Sequence, residues 1–364
     1  MLRRFLLLSG FILTFSRLQA QEESRNSIEF IPQTSIAVFT AQQKLSGTAY
    51  GGELLYHFNT EKNASTWMRG MGLKSIDLVF NYKNMSKIKL VSDPKPDTFG
   101  DSYALLAGLN ISLLKLNRTE VLFSPAFGLG YLGETFFSNG NPLVGSHINF
   151  GSRLSLKIAS QVGPNTQIAA GLDVLHFSNA AFRVPNNGIN SSNVSLGIIQ
   201  ALKFITKKRD SLSLAGYKKH SVDLGINIGR RGVYQSKEAR FRTGLYAGYN
   251  YRLGPILGLS SGIDAVYYHS VYDPNDNAGT YQSFATSYDH WRVGAALGPD
   301  IWMGELALMV KYGYYLHYNS LRDNHTYWTA GMKYRIWDWA AVQAKIYVHK
   351  TEADFVGFGF LFTP

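Results

Sequence analysis

The fold class predicted here is all-β: an antiparallel transmembrane β-barrel of about 16 strands. Three observations in the sequence predict it. Of 364 residues, 35 are Gly, 22 Tyr and 22 Phe, and only 17% are charged, a balance suited to many short strands with aromatic girdles. After the first twenty residues, no uninterrupted apolar run reaches the roughly 18–20 residues that a membrane helix requires. At the far end Phe358, Phe360 and Phe362 alternate with Gly357, Gly359 and Leu361, as on a strand with one face in lipid and one turned inward.

Taken in order, residues 1–20 read as a secretory signal. Arg3 and Arg4 precede an apolar run from Phe5 to Phe15, and Ala20 offers a small residue before the cut. Residues 21–206 and 220–364 each hold about eight strand-like segments between turn signals, and the basic, polar stretch 207–219 joins them as a turn or linker. Within the second half, Leu245, Ala247, Tyr249 and Tyr251 are expected to face lipid, while Arg242, Gly244 and Asn250 turn inward. One closed barrel completed by the strand at Phe362 is the preferred arrangement, because lipid does not tolerate an open edge.

Composition also excludes chemistry. With no cysteine, disulfides, thiol nucleophiles and cysteine-ligated metals are ruled out together. His-Glu-x-x-His and glycine-rich phosphate loops are missing, so neither metal nor cofactor is expected. Three of the 36 basic and none of the 25 acidic residues fall in the signal, leaving a formal charge of +8. In a secreted barrel we read this excess as contact with phosphorylated lipid head groups or as scattered solvated charge, and not as nucleic-acid binding.

The chemistry-bearing stretch runs from His176 to Asn190. The strand leading into it places Ile168, Ala170, Leu172, Val174, His176 and Ser178 on one face, with Asp173, Leu175 and Phe177 on the other. The apolar row marks the lipid side, so a base and a hydroxyl share the outer wall near the membrane interface. Asn186, Asn187 and Gly188 suit a turn with positive φ. The remaining histidines, His57 and His349 among them, and the pair Tyr267 and Tyr268 are read as strand-end or girdle residues.

His176-x-Ser178-Asn179-Ala180 followed by Pro185-Asn186-x-Gly188-Ile189 resembles the lipid A 3-O-deacylases, outer-membrane barrels that hydrolyse the ester at the 3 position of lipid A. Looser similarity runs from Phe127 to Gly197 and includes Asn141, Ser146 and Asn149. The resemblance implies a Ser–His esterase in a Gram-negative outer membrane, with His176 as base toward Ser178. It also implies oxyanion donors at the Asn179 and Ala181 backbone amides, with support from Asn186. Ala181 stands where the family tends to have glycine, and Asn190 where it has an orienting glutamate; Glu134 is the alternative source of charge. Because the family uses eight strands, two tandem eight-stranded barrels form an alternative architecture. The expected partners are lipid A or a related membrane lipid and the membrane itself, and a homodimer is allowed. The competing readings are a passive channel or structural barrel, whose lumen Asp173, Arg242 and Asn250 would suit, and a phospholipid ester hydrolase using the same dyad.

Overall fold

In the computed structural model, residues 25–364 are described apart from 62–63, 96, 206–216, 273–286, 321–323 and 351. The expected signal, and most of the expected linker at 207–219, lie outside the described residues. The elements are β1 (Arg25–Phe39), β2 (Leu45–Ser46), β3 (Tyr50–Asn59), a short helix α1 (Thr66–Met71), β4 (Leu73–Asn84), β5 (Lys89–Leu90), β6 (Asp101–Leu116), β7 (Thr119–Leu132), α2 (Phe136–Asn139), β8 (Ile148–Gln161), β9 (Thr166–Ser178) and β10 (Ile189–Ile205). After the linker come β11 (His220–Gly232), β12 (Ala239–Arg252), β13 (Leu257–Tyr268), β14 (Trp291–Met303), β15 (Leu306–His317), β16 (Thr326–Trp337), β17 (Ala340–His349) and β18 (Glu352–Phe362).

The all-β antiparallel class and the total of sixteen barrel strands stand, but the strands close as two barrels. β10 pairs back onto β1, and β18 pairs back onto β11. The single barrel that the sequence favoured is therefore corrected to the tandem alternative. The physical reason lies in long-range pairing: strand count and alternation are local properties, whereas closure depends on which distant edges meet, here Phe39 with Asn190 and Leu224 with Phe362.

Alternation sets the two faces of each wall. On β4, Ile76, Leu78 and Phe80 are exposed to the surroundings, while Ser75, Asp77, Asn81 and Lys83 are buried in the lumen. On β12, Leu245 and Tyr249 point outward and Arg242 and Asn250 inward, as expected. Phe358, Phe360 and Phe362 likewise face out. Tyr268 and His57 depart from the strand-end or girdle reading, while His349 ends β17 as read; all three are buried in a lumen, where each bonds a carboxylate or another ring.

The first lumen combines ion pairs with an apolar cluster. His57 bonds Glu29 through Nε2 at 3.0 Å and Asp77 through Nδ1 at 2.8 Å, and Arg153 pairs with Glu53 at 2.8 Å. Leu55, Val79, Leu106, Leu175 and Phe177 form one apolar cluster with Ile88, Leu90, Phe99 and Leu143 from the overlying loops. Eight strands leave an interior that side chains fill. The sixteen-strand aqueous pore behind the channel reading is thus absent, and Asp173 is bonded by Gln33 and Asn193 inside the plug.

The barrels touch at both rims. At the lower rim, a Cβ on Gly70 would lie 2.7 Å from Ile256, and one on Gly304 would lie 3.4 Å from the Trp67 indole nitrogen. At the upper rim the loop after β9 meets the β11–β12 hairpin: Gly232 N–H donates to the Ala181 carbonyl at 2.8 Å and Gln235 N–H to that of Val184 at 3.3 Å. Because the β1–β10 closure needs nothing from the second barrel, a chain ending after Ile205 is expected to refold in detergent as a stable barrel. The check is a shift in gel mobility between unboiled and boiled samples; loss of that shift would mean the first sheet depends on its neighbour to close.

Candidate active site

β9 alternates as its residue types demand. Ile168, Leu172 and Val174 are exposed on the outer wall, whereas Asp173, Leu175 and Phe177 are buried in the lumen. His176 and Ser178 continue the outer row at the upper end of the strand, both half-buried. Their strand is anchored from behind. Leu175 and Phe177 sit in the apolar core, and the Phe177 ring occupies the space that a Cβ on Gly130 would need, at 2.4 Å. A side chain held on a packed strand keeps its direction better than one on a free loop.

The imidazole is oriented across the β9–β10 ladder, where His176 pairs with Asn190. Its Nδ1–H donates to Asn190 Oδ1 at 2.8 Å, and Asn190 Nδ2 in turn donates to the Phe39 carbonyl at 3.1 Å. The second bond fixes which way the amide points, and the first fixes the tautomer with Nε2 as the basic nitrogen. Gly188 closes over the ring: its φ is +68°, and an added Cβ would lie 2.9 Å from His176 Cε1.

The turn after Ser178 is tightly wired. Asn179 N–H donates to Asn186 Oδ1 at 2.8 Å, Asn179 Nδ2 to Ser146 Oγ at 2.8 Å, and Phe182 N–H to the Asn179 carbonyl at 2.9 Å. Ala180 and Ala181 both adopt left-handed backbone, with φ of +51° and +63°, which costs an L-residue roughly 1–2 kcal/mol. That conformation is a physical reason for a glycine at position 181. The N–H groups of Ala180 and Ala181 donate to no acceptor among the described residues, and successive amides in such a turn form an anion-receptive concavity.

Not every residue singled out from the sequence joins the dyad. No hydrogen bond between Ser178 and His176 occurs among the described residues, although they share a face. The Asn179 amide is engaged by Asn186, so Asn179 and Asn186 brace the turn. Glu134 accepts from Ser138 Oγ at 2.8 Å, and Asn141 and Asn149 bond the backbone of the neighbouring loop. Sequence reasoning missed a second histidine cluster: Ser75 Oγ lies 3.4 Å from His57 Nδ1 and donates to Asp77 at 2.6 Å. Both ring nitrogens of His57 are taken up by carboxylates, so the ring has no basic nitrogen to offer Ser75. The inward position of Glu29 and Asp77 on their strands was the available signal.

Residues 50–198 match the lipid A 3-O-deacylase (PagL) family, and residues 220–364 match the acyloxyacyl hydrolase C-terminal domain. A search of the curated proteins finds no match. Among solved structures, Neisserial surface protein A aligns at a TM-score of 0.34 and 10% identity, covering 49% of this chain and 97% of that one. The outer membrane enzyme PagL aligns at 0.30 and 20% identity, covering 49% and 99%. Omp33 of Acinetobacter baumannii aligns at 0.18 and 10% identity, covering 93% and 98%. With the deacylase match over most of the first barrel and the C-terminal-domain match over the second, the chain belongs to the lipid A 3-O-deacylase family of the Gram-negative outer membrane.

Proposed function

We propose that the chain removes an ester-linked acyl chain from lipid A by a Ser178–His176 mechanism. The observation that carries this reading is the His176–Asn190 bond on the same outer wall as Ser178, above a band of lipid-facing side chains. His176 Nε2 takes the Ser178 proton as Oγ attacks the ester carbonyl carbon. The tetrahedral oxyanion is met by the Ala180 and Ala181 amides. On collapse the ester C–O bond breaks, and His176 protonates the departing sugar hydroxyl. Water, deprotonated by the same ring, then attacks the acyl-serine and releases the fatty acid. Every group invoked comes from one chain, so the reading requires no homodimer.

Asn190 accepts from the ring but brings no negative charge to the imidazolium formed during attack. Lipid A incubated with the purified protein is expected to lose one acyl chain by mass spectrometry. Asn190→Ala should slow the reaction about 10–100-fold by releasing the ring. Asn190→Glu should raise the rate, since a carboxylate stabilises the imidazolium formed during attack. Unchanged lipid A with cleaved phospholipid in the same assay would favour the phospholipid ester hydrolase. Identical rates for all three forms would remove Asn190 from the mechanism.

A further inference from the structure

The seam between the barrels meets the upper rim at the turn that follows Ser178. Phe182 projects from that turn and is exposed, and the Arg230 guanidinium sits 4.2 Å over its ring. Arg230 belongs to the outer row of β11, above Leu224, Ile226 and Ile228, all of which are exposed. Arg183, the next residue in the turn, bonds the Lys237 carbonyl on the β11–β12 hairpin. Both guanidiniums are thus brought to one turn, Arg230 over the Phe182 ring and Arg183 from the residue that follows it. Neither pairs with a carboxylate among the described residues, and Arg230 Nε is buried without an acceptor there.

Two guanidiniums at one turn with no carboxylate partner among the described residues are an arrangement that a phosphate would stabilise. The backbone bonds of Gly232 and Gln235 to the turn hold them in place, and a Cβ on Gly232 would lie 2.8 Å from Arg183 Cα, so the approach is as close as the backbone permits.

We propose that Arg183 and Arg230, one from each barrel, form a binding site for the phosphomonoester of a membrane lipid beside Ser178. The second barrel is then part of substrate capture. Arg230 stands on the outer row of β11 above exposed Leu224, Ile226 and Ile228, which favours a lipid head group over free phosphate. It rests on the deacylase reading only for naming lipid A as the natural occupant.

The test is native mass spectrometry of the detergent-solubilised full chain carrying Ser178→Ala, which binds without turnover. The probes are phosphatidic acid, diacylglycerol and inorganic phosphate. Phosphatidic acid should bind roughly tenfold or more tightly than diacylglycerol, as charge-assisted bonds imply. Arg183→Gln and Arg230→Gln should each abolish that preference, and Arg230→Lys should keep it. Equal loss of both lipids in the Gln variants would reduce the arginines to a packing role and overturn the proposal. So would an unchanged preference, or inorganic phosphate bound as tightly as phosphatidic acid. Because no hydrolysis is read, these results stand apart from whether lipid A is deacylated.

Discussion

Ser178→Ala is expected to leave lipid A fully acylated, with the rate falling by at least about 10³-fold. The His176→Ala protein should fall by a similar factor, and the double variant little further, because members of one catalytic unit are grossly non-additive. In the proposed mechanism, loss of Oγ leaves no acyl-enzyme, and loss of the ring leaves no acceptor for its proton. The fold should persist, since both side chains lie half-buried on the outer wall and Leu175 and Phe177 continue to anchor β9. Purified protein of each form, shown folded by its gel mobility, is assayed by mass spectrometry of lipid A. Retained hydrolysis in Ser178→Ala would exclude this serine as nucleophile.

Gly188→Ala should be the most damaging change outside the dyad. Two costs combine there. The left-handed φ of +68° disfavours any side chain by roughly 1 kcal/mol or more, and the new methyl would lie 2.9 Å from His176 Cε1, inside van der Waals contact. The ring must tilt, which breaks its bond to Asn190 and misdirects Nε2; displacements near 1 Å in an active site cost on the order of 10²-fold in rate. Gly140, also at positive φ but with nothing near its missing Cβ, is the control. Its Ala variant carries the backbone cost alone, so equal activities for the two variants would show that steric pressure on the ring has no part in the effect.

Most of the membrane architecture was legible because lipid imposes a local rule. Leu78 and Leu245 reveal their faces through neighbours two positions away, and so does the row from Ile168 to Ser178. Closure was not legible in this way, because the pairing of β1 with β10 depends on register between residues more than 140 apart, such as Phe39 and Asn190. The active-site strand and the Asn190 position could be read from a compact motif, which places its partners across a single hairpin. The bracing of Asn179 by Asn186 and Ser146 was hidden, since it depends on how two loops fold over one another. Tyr268 and His57 were misplaced for a related reason: an amphipathic ring suits both an interface girdle and a polar lumen, and only strand phase separates the two.

Setting His176 and Ser178 on the outside of a wall, with an interior plugged behind them, changes what concentration means for this protein. A substrate confined to a leaflet arrives by lateral diffusion and is counted per unit of membrane area, so dilution by other lipids slows encounter even when the bulk amount is constant. In the proposed mechanism, water and the released fatty acid would use different routes, one from the aqueous side above the rim and one along the bilayer. Such a reaction would take place at a phase boundary, and its kinetics would belong to two dimensions.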